Sequence, residues 1–510
     1  MSCRRCPLRP CSSQRRRHRI RLSIAAPLSS LALVGLGALP AWGQTGSRSV
    51  ALPPEAAAAL QRAQVPAEAL SLLLQEVGSA KPLLALRADM PVNPASLFKL
   101  LTTYAALDRL GPAWTWTTPV WIQGTLRQGA LDGAVIVKGT GDPKLVLERV
   151  WLLLERLQQF GVREIHGDIV LDRSAFAPAE GAVGDFDGEP SRPYNVRADA
   201  LLLNFKSVSY GFVPDAARGV AIVTAEPRLD DSPAARQVPL AAGPCEDWRA
   251  GLKANFSGPG PARFAGTYPA ACGVQTWPVA DADPASYNGR LIAALWRQMG
   301  GVLTGSVHDG NAPTATPPSF ELRSPPLAEI VRDIDKYSNN AMAQQLFLSL
   351  ALARHPGQPA TLEAARETLR LWAQERLGLE PGDGLTIDNG SGLSRDNRLT
   401  ARFLARLLQH AYAGPSMPEL VGALPVAGVD GTLRTLKIAT GRAHLKTGSL
   451  RDVAGIAGYV LAESGRRYVL VAIVNHPNAN AARPALDAVV QWAVRDGALP
   501  RPNLPETPAR

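Results

Sequence analysis

The C-terminal part of the chain constrains its fold most. Ala443 to Ser449, Ala454 to Leu461 and Tyr468 to Asn475 read as three strands in succession, and Ala482 to Val494 reads as a helix. Strands joined this closely pair antiparallel, because a parallel pair needs a crossover of about a dozen residues or more. An antiparallel sheet flanked by helices is an α+β core. The start of the chain fits the same class. A strand-like stretch, Leu70 to Glu76, is followed by a turn at Gly78 and a second strand near Pro82 to Leu86. Asn93-Pro94-Ala95-Ser96 then opens an apolar helical run to Leu110, which Gly111-Pro112 ends. Proline near a helix start and glycine beyond its end follow the usual asymmetry.

With 510 residues the chain exceeds one ordinary core, so more than one domain is expected. Residues 48–117 and about 300–502 are expected to form one unit, interrupted by about 118–299. In that interruption short β-branched runs alternate with glycine turns: Ala134 to Val137, Ile165 to Leu171, Val220 to Thr224. The segment reads as a β-rich insertion of two small modules, with one helical run at Leu145 to Phe160. From about 325 the chain turns helical again, with Leu327, Ile330, Val331 and Ile334 at helical spacing. A polar break at Tyr337-Ser338-Asn339-Asn340 precedes a further helix, Ala341 to Ala353. No internal repeat of fixed period is present.

The first 43 residues stand apart from the fold. They hold eight arginines and no acid, then an apolar run from Ile24 to Leu39 and the tripeptide Ala41-Trp42-Gly43. That order is a secretory signal, expected to be cut after Gly43. The alternative is an uncleaved anchor helix, but the run is short for a membrane span and Pro27 and Pro40 punctuate it, so cleavage is favoured and no span is expected afterwards. The net charge is +10, and these arginines supply eight of the ten. The basic balance is therefore a targeting feature. No basic stripe with interleaved aromatics remains to bind nucleic acid. Cys3, Cys6 and Cys11 leave with the signal. Cys245 and Cys272 remain, and two cysteines in an exported chain suggest one disulfide.

Three short motifs carry the chemistry. In Ser96-Leu97-Phe98-Lys99, positions i and i+3 share a helix face, so the Ser96 hydroxyl and the Lys99 amine meet. Serine is a weak nucleophile until a base takes its proton, and lysine is a base only where burial or a second cation favours its neutral form. Ser338-Asn339-Asn340 lies between helices, where a serine and an amide two residues apart can point into one cleft. Lys446-Thr447-Gly448-Ser449 lies in a strand: Lys446 offers a cation for a substrate carboxylate, Thr447 and Ser449 offer hydroxyls, and Gly448 lets the backbone approach a ligand closely. Each motif alone has an ordinary structural reading as a helix start, a turn and an edge strand. Together, in this order and these settings, they form the signature of penicillin-interacting serine enzymes.

On those motifs, and on Asn93-Pro94-Ala95-Ser96, Gly141-Asp142-Pro143, Ala200 to Phe205, Gly390 to Arg395 and Leu424 to Thr432, the chain resembles the class C low-molecular-mass penicillin-binding proteins, the D-alanyl-D-alanine carboxypeptidase/endopeptidases of peptidase family S13. The resemblance implies a penicillin-binding, serine β-lactamase-like core with a long β-rich insertion. It implies a transpeptidase-like catalytic domain in 48–117 and about 300–502, with no cofactor and no metal. Ser96 would be acylated, Lys99 would act as base, Ser338 would relay a proton, and Asn340 would hold Lys99 and the substrate. Lys446 and Thr447 would bind the terminal carboxylate, and the N–H groups of Ser96 and Ser449 would form the oxyanion hole. Peptidoglycan stem peptides and D-Ala cross-links would be the substrates, with the choice between trimming and cross-link cleavage open, and β-lactams the covalent inhibitors; the signal itself points to a periplasmic protein, soluble or loosely membrane-associated. One departure stands out: the family often has Asp before Gly-Ser-Gly, where this chain has Asn389, preceded by Asp388. Oligomeric state is not encoded in any of these patterns.

Other chemistries fit less well. Gly390-Ser391-Gly392 lacks the spacing of a nucleophile elbow, and His166, His444 and His476 have no partner evident in the sequence. No His-Glu-x-x-His is present, which disfavours a zinc peptidase. Gly139-Thr140-Gly141 does not continue as a dinucleotide loop. Two alternatives share the fold: a peptidoglycan-binding protein without turnover, and a β-lactamase. The long insertion and the absence of an identifiable deacylating glutamate disfavour the second.

Overall fold

In the computed structural model, which describes residues 51–179, 181–229, 236–257 and 262–497, the three C-terminal strands are joined by two strands from the start of the chain. The expected signal segment and the chain beyond 497 lie outside the described residues. The sheet runs in the order Ala443–Leu450, Val453–Leu461, Arg467–Asn475, Leu70–Glu76, Pro82–Leu86. Every neighbouring pair is antiparallel.

The two strands Val453–Leu461 and Arg467–Asn475 are apolar almost throughout because both faces of the sheet are covered. Alternate residues divide between two cores, as the period of two requires. Leu470, Ala472 and Val474 pack with Ala56, Leu60 and Val489 of helices Pro54–Arg62 and Arg483–Val494. Val469, Val471 and Ile473 pack with Leu101, Ile334, Leu346 and Leu404. Those four lie on helices Lys99–Leu110, Leu327–Tyr337, Asn340–Arg354 and Ala401–Ala413. The Ser96–Lys99 motif opens one helix of this second layer, and the Ser338–Asn340 motif joins two others.

Between the helices Lys99–Leu110 and Leu327–Tyr337 the chain builds a separate core around Val120, Val135, Phe212, Tyr268 and Trp296. A seven-stranded sheet and a five-stranded sheet provide its strands. The sequence boundary near 299 falls short of this region's end. Val302–Leu303 and Val307–Asp309 pair with Glu164–Ile165 and Ile169–Asp172, and Phe320–Arg323 pairs with Thr117–Arg127. Strands of two to four residues are too short to show a period in sequence, so the return to the helical layer is visible only at Leu327.

Cys245 and Cys272 are disulfide-bonded, with Cα atoms 4.8 Å apart across a separation of 27 residues. On the chain-entropy model a loop of that size contributes about 3–4 kcal/mol. Reducing it, or replacing both cysteines by serine, is expected to lower the stability of this β-rich core by about that amount. Urea unfolding followed through tryptophan fluorescence would measure the loss, and an unchanged midpoint would show that the bond constrains nothing.

Candidate active site

Ser96 lies in a single 3-10 turn, Ala95–Phe98, that runs directly into the helix beginning at Lys99. In a 3-10 turn residues i and i+3 eclipse, which sets Lys99 over Ser96 more closely than an α-turn would. Lys99 Nζ lies 3.0 Å from Ser96 Oγ. Ala95 takes a left-handed φ of 47°, uncommon for a residue with a Cβ. Asn93 holds that turn: its Oδ1 accepts from the Ala95 N–H at 2.9 Å, and its Nδ2 donates to the Ser394 carbonyl at 2.8 Å.

The strand Ala443–Leu450 packs against this turn so tightly that a Cβ on Gly448 would stand 2.7 Å from the Pro94 carbonyl and 3.0 Å from Leu97 Cγ. The sequence reading gave Gly448 a role in admitting a ligand. In the structure its missing side chain admits the backbone of the Ser96 turn. The strand sets Lys446 inward, fully buried, and Ser449 outward, where its Oγ accepts from Arg483 Nη2 at 2.6 Å. Thr447 Oγ1 lies 2.9 Å from Thr432 Oγ1.

The Ser-Asn-Asn motif divides three jobs among three residues. Ser338 ends the helix Leu327–Tyr337 in the left-handed region, φ 56°. Asn339 caps the next helix, its Oδ1 accepting from the Met342 N–H at 3.0 Å. Asn340 is the first residue of that helix and turns inward. Its Oδ1 accepts from Lys99 Nζ at 2.6 Å, and its Nδ2 donates to the Tyr194 carbonyl at 3.2 Å. Ser338 Oγ accepts from Lys446 Nζ at 2.9 Å. Ser96, Lys99, Ser338, Asn340 and Lys446 therefore form two linked sets, Ser96–Lys99–Asn340 and Ser338–Lys446, at the junction of sheet and helical layer.

Two buried lysines in one interior set the electrostatics. Burial holds the Lys99 amine well below its ordinary pKa, the Lys446 ammonium lowers it further, and Asp335 opposes both. Burial also brings Lys446 down to about 8, with Asp335 again opposing. Burial and the neighbouring ammonium thus favour the neutral form of Lys99, while Asp335 favours the charged form of Lys446.

Asn389, the departure from the usual Asp, organises the glycine-rich loop. Its Oδ1 accepts from the Ser391 N–H at 3.1 Å and the Gly392 N–H at 3.0 Å. Its Nδ2 donates to the Leu393 carbonyl at 2.8 Å, a bond a carboxylate could not make. The loop so shaped presents the Ser391 carbonyl, which accepts from Lys99 Nζ at 2.6 Å.

Beside Asn340 opens a cavity of about 360 Å³, lined in part by Phe186, Tyr194, Arg197, Gln344, Arg366 and Ser391. Its outer wall comes from the β-rich insertion, its inner wall from the helical layer. The sequence reading missed Asp335, Thr432 and the Tyr194 carbonyl. Asp335 carried a signal: it follows Val331 by four residues and so falls on the apolar face of its helix, where an acid is out of place. A backbone carbonyl carries none. His166 is exposed between Asp132 and Glu164, 3.0 Å from each, and His444 Nδ1 lies 3.1 Å from the Val421 carbonyl. Neither histidine touches these five residues. Among the described residues no cluster of His, Cys, Asp and Glu is placed to hold a metal ion, and no helix is long and apolar enough to cross a membrane.

A model of the D-Ala-D-Ala carboxypeptidase 3 (S13) family matches residues 54–496. The D-alanyl-D-alanine carboxypeptidase of an Actinomadura species is 28% identical over 510 residues, spanning 95% of this chain and 92% of that one. The D-alanyl-D-alanine carboxypeptidase DacB of Haemophilus influenzae is 26% identical over 403 residues, spanning 75% and 80%. Among solved structures, penicillin binding protein 4 of Haemophilus influenzae superposes with a TM-score of 0.69 at 21% identity, covering 86% of this chain and 99% of that one. A predatory endopeptidase from Bdellovibrio bacteriovorus superposes with a TM-score of 0.51 at 16% identity, covering 84% and 92%. The sheet and its helical layers are the penicillin-binding fold.

Proposed function

The chain belongs to the D-Ala-D-Ala carboxypeptidase 3 (S13) family, and we propose that it cleaves peptidoglycan stem peptides and D-Ala cross-links through an acyl-enzyme on Ser96. One observation carries this reading: a fully buried lysine amine 3.0 Å from a serine hydroxyl, with a second buried lysine held by the serine of the next motif.

Lys99 takes the hydroxyl proton as Ser96 Oγ bonds to the carbonyl carbon of the penultimate D-Ala. The tetrahedral oxyanion is held by the N–H groups of Ser96 and Ser449. Ser338 relays to the departing nitrogen the proton that Lys99 took up, as the C–N bond breaks, so Lys99 is neutral again and the leaving group is free D-Ala or the D-centred amine of a cross-link. Lys446 and Thr447 hold the terminal carboxylate. Lys99 then draws a proton from the water that attacks the ester and returns it to Ser96 Oγ as the ester C–O bond breaks, which frees the peptide acid and Ser96. A β-lactam enters the same first step: its ring amide opens on Ser96, but the nitrogen stays tethered and the ester persists. Export to the periplasm follows from the signal in residues 1–43 and fits the disulfide.

Incubation with a fluorescent penicillin tests the reading. The wild type is expected to take a covalent label at Ser96, located by peptide mass analysis, and Ser96→Ala is expected to take none. An unlabelled wild type would favour a peptidoglycan-binding protein without turnover, and rapid release of hydrolysed drug would favour a β-lactamase. Mass analysis of digested pentapeptide and cross-linked muropeptides then divides trimming from cross-link cleavage.

A further inference from the structure

Asp335 belongs to the buried cluster, and no step above uses it. It lies in the last turn of the helix Leu327–Tyr337, three residues before Ser338, and is fully buried. Its Oδ2 is 3.1 Å from Thr103 Oγ1, a hydroxyl on the helix of Lys99 that also reaches the Lys99 carbonyl at 2.8 Å. Its Oδ1 has no hydrogen-bond partner among the described residues. A carboxylate buried with a lone pair unmet is costly, and a neutral side chain would fill the space at less cost. Stability therefore does not account for an acid here, but its neighbours do. Two lysines are buried in the same interior, and a single carboxylate balances a single ammonium.

We propose that Asp335 is a positioning residue that sets the charge state of the site: its carboxylate keeps the proton on Lys446, and the Lys446 ammonium in turn keeps Lys99 neutral. This rests on the acyl-enzyme reading above. The charges that act on Asp335 are Lys446 on the strand Ala443–Leu450 and, more weakly, Lys99 on the helix Lys99–Leu110. Its helix neighbour Lys336 is turned away, donating to Asp430 Oδ2 at 2.6 Å and to the Leu424 carbonyl at 2.7 Å. On the same helix Asp333 pairs with Lys144 and Arg332 is exposed, while Glu419 is the acid of the helix Met417–Ala423 packed alongside. Burial raises the Asp335 carboxyl to about 6, so near pH 7 it is ionised beside a charged Lys446.

The sign follows from the charge. A buried anion favours the ammonium form of both lysines, so its removal lets both lose their protons at lower pH. Neutral Lys99 limits the acidic side of the rate profile and charged Lys446 the basic side. In Asp335→Asn the whole bell in kcat/KM, read with a D-Ala-D-Ala peptide and as the second-order rate of penicillin labelling, is expected to move to lower pH by about one unit. KM for the peptide should rise most on the basic side, where Lys446 no longer holds the carboxylate. Asp335→Glu should restore the wild-type position. A loss of equal size at every pH, with both limbs unmoved, would overturn the proposal and leave Asp335 a packing residue. If Asp335→Asn does not fold, carbon-13 NMR of aspartate-labelled wild type decides, with Asp335→Glu locating the resonance: a carboxyl still neutral at about pH 8 sinks the proposal. Label that survives in Ser96→Ala strikes at the acyl-enzyme reading instead, so the two failures are distinct.

Discussion

Lys99→Met is expected to slow acylation by penicillin about 10²- to 10⁴-fold, the range that a positioned general base supplies. Methionine keeps the length of the side chain and removes only the amine. The folded state should survive the change. The Ser391 carbonyl and Asn340 Oδ1 each lose a donor that now sits at 2.6 Å, which costs stability. Against that, the variant removes an amine whose buried, protonated form is opposed by Lys446. Stopped-flow labelling measures the rate, and a thermal melt checks the fold. Labelling at the wild-type rate by a folded Lys99→Met protein would remove Lys99 as base and leave the role to another group.

Gly392→Ala should cost far more stability than a single added methyl group usually does. Gly392 has φ +78°, and a Cβ there would stand 2.0 Å from the Ala95 carbonyl and 3.2 Å from Phe98 Cβ. Two penalties coincide: a left-handed backbone, and a collision with the turn that presents Ser96. The expected loss is about 3 kcal/mol or more, at the upper end for single substitutions. Labelling should fall as well, because the displaced loop carries the Ser391 carbonyl that orients Lys99. Gly422→Ala makes the contrast. Gly422 is helical, with nothing within 4 Å of its added Cβ, so alanine should stabilise it by up to about 1 kcal/mol. Equal melting temperatures for the two variants would show that the contact between loop and turn is not tight.

Some of this was legible in the sequence and some was not, for physical reasons. The strands at Ala454 to Leu461 and Tyr468 to Asn475 were readable because a strand covered on both faces is apolar throughout. The Ser96–Lys99 pair was readable because its contact is local. The end of the insertion was misplaced because its last strands are too short to carry a pattern. Asn389 looked like a defect in a motif, yet its amide makes a bond to Leu393 that the usual acid could not. Asp335 shows in the sequence only as an acid on the apolar face of its helix, because the spacing does not say which groups from other elements it is buried with.

The sequence by itself determined which groups the chain has for the reaction: a serine and a lysine one turn apart, a second serine with an amide, and a strand lysine beside glycine. Such spacings are set by the local geometry of helix and strand. The tertiary structure decided that these groups meet, bringing Asn340 onto Lys99 across 241 residues. It also decided the surroundings of the two lysines. Both are fully buried lysines of the same ordinary pKa, and what separates them is the field of the Lys446 ammonium on Lys99, which acts through space rather than along the chain.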